Sequence, residues 1–104
     1  MPRFDVYANP DASERARIPY FLDVQNDHIH GLRTKVMVPL WSADVFDTPA
    51  ADLNPTLDVA GISVVMDVAA LGAVPLNALK GAVGNLGRQQ LVIQNALDAL
   101  FGAY

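Results

Sequence analysis

At 104 residues, 52% apolar and 17% charged, the chain is long enough for one hydrophobic core and too apolar for a disordered or coiled-coil protein. Seven Lys plus Arg against eleven Asp plus Glu leave a formal charge of −4, the wrong sign for a protein that grips phosphate backbones, which argues against direct nucleic-acid binding. The absence of cysteine excludes a disulfide framework and a thiolate metal site, and no apolar run suits a signal core or a bilayer span, so a single soluble, cytoplasmic domain without membrane contact is expected.

Phe4 and Val6 alternate with Arg3, Asp5 and Tyr7, the period-two pattern of a strand with one buried and one wet face. Residues 9–15 are turn-prone and charged and read as an exposed loop. Residues 20–25 read as a second strand, with Tyr20, Leu22 and Val24 opposed to Phe21, Asp23 and Gln25; residues 35–40 read as a third, ended by Pro39. Across residues 42–55 the acidic and proline positions Asp44, Asp47, Pro49, Asp52 and Pro55 predict a loop with one short helical turn at most. Residues 56–59 and 62–68 predict a hairpin around Ala60-Gly61, with Ile62, Val64, Met66 and Val68 on one face, and residues 73–76 a short edge strand. From about Arg88 the period changes. Ile93, Ala96, Leu97, Leu100, Phe101 and Tyr104 share one arc of a helical wheel, with Gln94, Asn95 and Asp98 opposite. The chain therefore ends in an amphipathic helix, with Asn85 as a candidate cap, and strands followed by one helix predict an α+β domain.

Five segments in this order resemble the CcdB toxins: Phe4-Asp5-Val6-Tyr7; Tyr20-Phe21-Leu22-Asp23-Val24-Gln25-Asn26-Asp27; Val36-Met37-Val38-Pro39-Leu40; Ala73-Val74-Pro75-Leu76; and Gln94-Asn95-Ala96-Leu97-Asp98-Ala99-Leu100-Phe101. The most specific piece is the F-x-D-V-Q-x-D strand end followed by a V-x-V-P-L strand. The resemblance implies an SH3-like antiparallel β-barrel with a C-terminal α-helix, assembled as a homodimer and shared in outline with toxin endoribonucleases. It implies a non-enzymatic toxin that needs no cofactor: it binds the GyrA-type subunit of DNA gyrase and traps the cleaved-DNA intermediate. It further implies a CcdA-type antitoxin whose disordered tail folds along the toxin, the joint complex repressing its own operon through DNA contacts made by the antitoxin.

In the family the gyrase-poisoning residues are a terminal Trp-Gly-Ile directly after a phenylalanine. Phe101 matches that phenylalanine, but Gly102, Ala103 and Tyr104 follow it, so none of the three residue types is retained. A continued helix would place Gly102 one turn beyond Asp98, on the polar side, where a tryptophan serves a partner and a glycine offers no side chain and loosens the last turn. Tyr104 returns a ring to the end, either closing the core edge or anchoring a partner; Phe101, on the apolar arc, is read first as core and second as a contact for gyrase and antitoxin. The family contact site also falls on His28, Ile29 and Asp98, with His28 in the place of an aliphatic residue.

Other chemistries have weaker support. His28 and His30 beside Asp27 and Asp23 suggest a metal site only faintly, and none is expected. Arg15, Arg17, Arg33 and the two histidines could serve RNA cleavage but form no recognisable arrangement. The altered ending also suits a relative that keeps antitoxin binding and has lost gyrase poisoning.

Overall fold

The computed structural model describes residues 2–102. Seven strands run β1 (Asp5–Ala8), β2 (Tyr20–Asp23), β3 (Thr34–Ser42), β4 (Thr56–Val59), β5 (Ile62–Met66), β6 (Gly72–Pro75) and β7 (Gly84–Asn85), and α1 (Gln90–Phe101) follows. They form one antiparallel sheet in the order β4-β5-β3-β2-β1-β7, with β6 also on β3, curled into a nearly closed barrel. This is the α+β arrangement expected from the sequence.

β3 is the spine. Its first half pairs with β6 (Thr34↔Pro75 to Met37↔Gly72) and its second half with β5 (Leu40↔Met66 to Ser42↔Val64), while β2 takes the other side (Asp23↔Met37 to Tyr20↔Leu40). Pro39 does not end this strand, as its sequence suggested; it sits inside, where the ladder passes from β6 to β5. Its carbonyl still accepts from the Asp67 N–H at 3.0 Å, and no donor is required at the junction. The hairpin of β4 and β5 turns through Ala60 (φ 50°) and Gly61 (φ 85°), the left-handed pair of a tight two-residue turn. At its tip Ile62 is exposed, although the alternation placed it with the buried Val64 and Met66.

The alternation misjudged the sheet's second face. Val6, Leu22, Val38 and Leu40 point into the apolar core with Leu57, Met66, Ile93 and Leu97, as expected. The opposite residues, Asp5, Tyr7, Asp23, Gln25 and Lys35, are not wet but buried as well. They are tolerated because they satisfy one another. Lys35 Nζ lies 2.7 Å from Asp23 Oδ2, the Gln25 N–H donates to Asp23 Oδ1 at 3.0 Å, and Gln25 Oε1 accepts from the Val36 N–H at 3.0 Å.

β7 has no signature in the alternation; it is a two-residue strand pairing Asn85 with Asp5. Asn85 does not cap α1. Its side chain donates to Arg3 O and Asp5 Oδ1 and accepts from the Gly87 N–H, tying the turn before the helix to β1. A short 3₁₀ turn (Gly87–Gln89) then leads into α1, and the Gln89 side-chain amide both accepts from the Asp58 N–H (3.0 Å) and donates to the Asp58 carbonyl (2.9 Å) on the outer edge of β4.

Candidate functional site

α1 exists because its apolar positions recur at helical spacing: Ile93, Ala96 and Leu97 are buried in the core and Leu100 packs on its rim. Burying one such aliphatic side chain stabilises the fold by about 1.5–3 kcal/mol, enough to hold a three-turn helix that lacks a side-chain N-cap. Docking of this side fixes what the other side presents.

The helix turns Asp98 and Phe101 outward together. Phe101 is 69% exposed, which overturns its first reading as a core aromatic: it lies eight residues after the buried Ile93, far enough round the wheel to leave the core and join the flank of Gln94 and Asp98. Asp98 is half-buried and accepts from Gln94 Nε2 at 3.1 Å; among the described residues no Lys, Arg or His pairs with it. A ring and an uncompensated carboxylate one turn apart can offer a partner both apolar area and an acceptor for a cation.

Gly102 departs from the expected helical position. Its φ of 75° is left-handed, and its N–H donates to the Asp98 carbonyl at 2.9 Å, so it closes the helix as a C-terminal glycine cap and the last turn is held instead of loosened. Beyond its chain neighbours and its own helix, no described atom lies within 4 Å of where its Cβ would be. Ala103 and Tyr104 lie outside the described residues.

The second group of expected contacts sits on the loop after β2. Asn26 organises it: its side-chain carbonyl accepts from the His28 N–H at 2.9 Å and its backbone carbonyl from the Ile29 N–H at 3.1 Å, and Gly31 (φ 77°) turns the chain toward β3. His28 and Ile29 are both exposed. Both hydrogen bonds of Asn26 close within the loop itself.

Electrostatics separate the buried strip from these surfaces. Burial pushes the Asp23 carboxyl above its ordinary value, against the opposing pull of its hydrogen bonds to Lys35 and the Gln25 N–H. Tyr7 is pushed up to about 12, first by burial and then by the charges of Asp5 and Asp23. The strip's polar groups face one another: Lys35 pairs with Asp23, and the Tyr7 hydroxyl donates to Asp5 Oδ2 at 3.5 Å. The cations considered for RNA cleavage are dispersed: Arg17 pairs with Glu14, Arg15 Nε donates to the Asn9 carbonyl at 2.7 Å, and Arg33 lies by β6. Among the described residues, no three His, Asp or Glu side chains are gathered as metal ligands, so His28 and His30 form no metal cluster with Asp23 and Asp27. No helix in this range is long and apolar enough to cross a membrane.

What sequence reasoning missed was the exposure of Phe101 and the left-handed cap at Gly102. The first was legible from the wheel angle between residues 93 and 101, and the second from a glycine following the last apolar position.

A search of curated proteins returned no match. The family model described as CcdB protein matches residues 3–102, essentially every described position, including β1–β7, α1 and the capping glycine. With a near-closed antiparallel barrel and a single C-terminal helix in the same order, the chain belongs to the CcdB family, a family of toxins from toxin–antitoxin pairs.

Proposed function

We propose that this chain is the toxin of a type II toxin–antitoxin module of the plasmid-maintenance kind, acting as a non-enzymatic poison of DNA gyrase. It acts as a homodimer in the cytoplasm, binds the DNA-cleaving gyrase subunit (the GyrA type) and traps the DNA-cleavage complex, and a CcdA-type antitoxin neutralises it and represses the operon with it. The carrying observation is the outward flank of α1, where Asp98 and Phe101 are held by a docked helix yet take no part in the core. Ile29 and His28 supply a second exposed patch, which a dimer can bring toward the helix tip of its partner copy. Phe101 also serves the antitoxin, and Gly102, Ala103 and Tyr104 extend the gyrase contact. The test is expression without antitoxin: growth arrest with gyrase-linked DNA breaks, relieved by Phe101→Ala, supports this reading, and unchecked growth overturns it.

One observation favours a second reading, a relative that binds antitoxin without poisoning gyrase. With the helix stopped by a left-handed glycine, residue 102 presents no side chain to a partner. A hybrid carrying Gly102→Trp, Ala103→Gly and Tyr104→Ile separates the two. Toxicity gained only in the hybrid supports the second reading; toxicity already present in the parent chain removes it.

A further inference from the structure

Residues 79–83 join the six-stranded part of the barrel to β7 and α1. The segment is tied at either end, by the Leu79 N–H to the Leu76 carbonyl at 3.1 Å and by the Val83 N–H to the Val6 carbonyl at 2.8 Å. Between these ties Lys80, Gly81 and Ala82 are exposed, belong to no helix or strand, and make no hydrogen bond or ion pair with any described residue. Beyond the chain neighbours, no described atom lies within 4 Å of where a Gly81 Cβ would be.

An endopeptidase takes its substrate as an extended strand, so it needs open backbone groups around the bond it cuts and a free side chain before that bond. Among the seven basic residues, Lys80 alone meets these conditions. Lys35 is buried against Asp23, and Arg3 donates to the Val24 carbonyl ahead of the buried Phe4. Arg15 donates to the Asn9 carbonyl, and Arg17 pairs with Glu14 while its own carbonyl accepts from the Ser42 N–H. The Arg33 carbonyl accepts from the Leu76 N–H, and the Gln89 N–H after Arg88 donates to the Leu86 carbonyl. At each of these sites cleavage waits on local opening; at Lys80 it does not.

The residues beyond the cut are held by more than the chain. β7 pairs with β1, the Leu86 N–H donates to the Phe4 carbonyl, and the Asn85 and Gln89 side chains grip β1 and β4. Leu86, Ile93, Ala96 and Leu97 are buried in a core that the other piece supplies for the most part, and that burial does not require an unbroken backbone.

We propose that the Lys80–Gly81 bond is a processing site for an endopeptidase whose pocket accepts a basic side chain, and that the cut chain stays folded as a complex of its two pieces. One water adds its hydroxyl to the Lys80 carbonyl carbon and a hydrogen to the Gly81 nitrogen as the C–N bond breaks; proton transfer then leaves a carboxylate and an ammonium end. The Asp98–Phe101 flank remains displayed but is retained by contacts alone. The proposal stands whether or not gyrase is the target.

The test is limited digestion of the full chain with trypsin, read by mass spectrometry and then, with the protease inhibited, by gel filtration and far-UV circular dichroism. The first cut is expected after Lys80. Both pieces should elute together at the volume of the intact chain with its spectrum retained, and the complex should melt at a lower temperature, because the closed connection has been lost. Lys80→Gln, with the melt of the parent chain, should slow the first cut about tenfold or more, and Lys80→Arg should keep it. A first cut after any other basic residue, an equally fast cut of Lys80→Gln, no cut without denaturant, or pieces that separate or lose their spectrum overturns the proposal.

Discussion

Asp23 and Asp98 are the same residue put to opposite uses. Asp23 is fully buried on β2, and every oxygen is engaged, by Lys35 Nζ and by the Gln25 N–H. Asp98 is half-buried on the outer flank of α1 and, among the described residues, accepts from the Gln94 amide with no cation paired to it. A carboxylate whose partners are built into the fold is part of what holds the molecule together; one left without a cation is available to another molecule. The strand floor is therefore where substitutions should unfold the protein, and the helix flank where they should silence it.

The largest expected effect is at the floor. Lys35→Met leaves Asp23 buried without its counter-ion and should cost about 3–5 kcal/mol in denaturant unfolding. The loss should shrink in mild acid: a carboxyl raised by burial holds its proton more tightly folded than unfolded, so its contribution favours the fold below the raised pKa and fades as pH climbs through it. A loss that grows on acidification would break the contrast. Next, Ile93→Ala on the inner side of α1 should cost about 2–4 kcal/mol, since the vacated space is fully enclosed. Alkali then probes the floor from the other direction. Tyr7 keeps its proton in the fold to about 12 against an ordinary 10.0, so stability should fall as pH rises through that interval, and Tyr7→Phe should flatten the fall in a pH-resolved melt. At the cap, Gly102→Ala should cost about 1–2 kcal/mol, because a Cβ at φ 75° is strained even with open space around it. Smallest in stability is Asp98→Ala, within about 0.5 kcal/mol of the parent chain. On the proposed function, binding to the DNA-cleaving gyrase subunit should nonetheless fall clearly, and an unchanged affinity would remove Asp98 from the proposed contact.

The apolar half of this fold was plain in the sequence. Val6, Leu22, Val24, Val38 and Leu40 alternate as a sheet demands, and Ile93, Ala96 and Leu97 repeat as a helix demands, because burying them drives both elements. The polar half was not. Asp23 and Lys35 stand twelve residues apart, and only the pairing of β2 with β3 makes their burial tolerable, so each alone looks like a solvent-facing position. Pro39 deceived for a related reason, since whether a missing N–H matters depends on which strand lies beside it. Of the expected contact residues, Asp98 is half-buried and Ile29 and His28 are exposed, whereas Phe101, grouped with the apolar arc by its ring, is carried past the edge of the core by its wheel angle from Ile93.

The Gln89 amide on the rim of β4 has a consequence for life at high concentration. β4 is a terminal strand of the sheet, and an uncovered terminal strand is a template on which identical molecules can stack. By offering Asp58 both a donor and an acceptor, the glutamine imitates the peptide group of a neighbouring strand and leaves an incoming chain nothing to grip at that point. Replaced by leucine, the same position would keep its bulk and lose its disguise, and fibrous or amorphous precipitation would follow during overproduction.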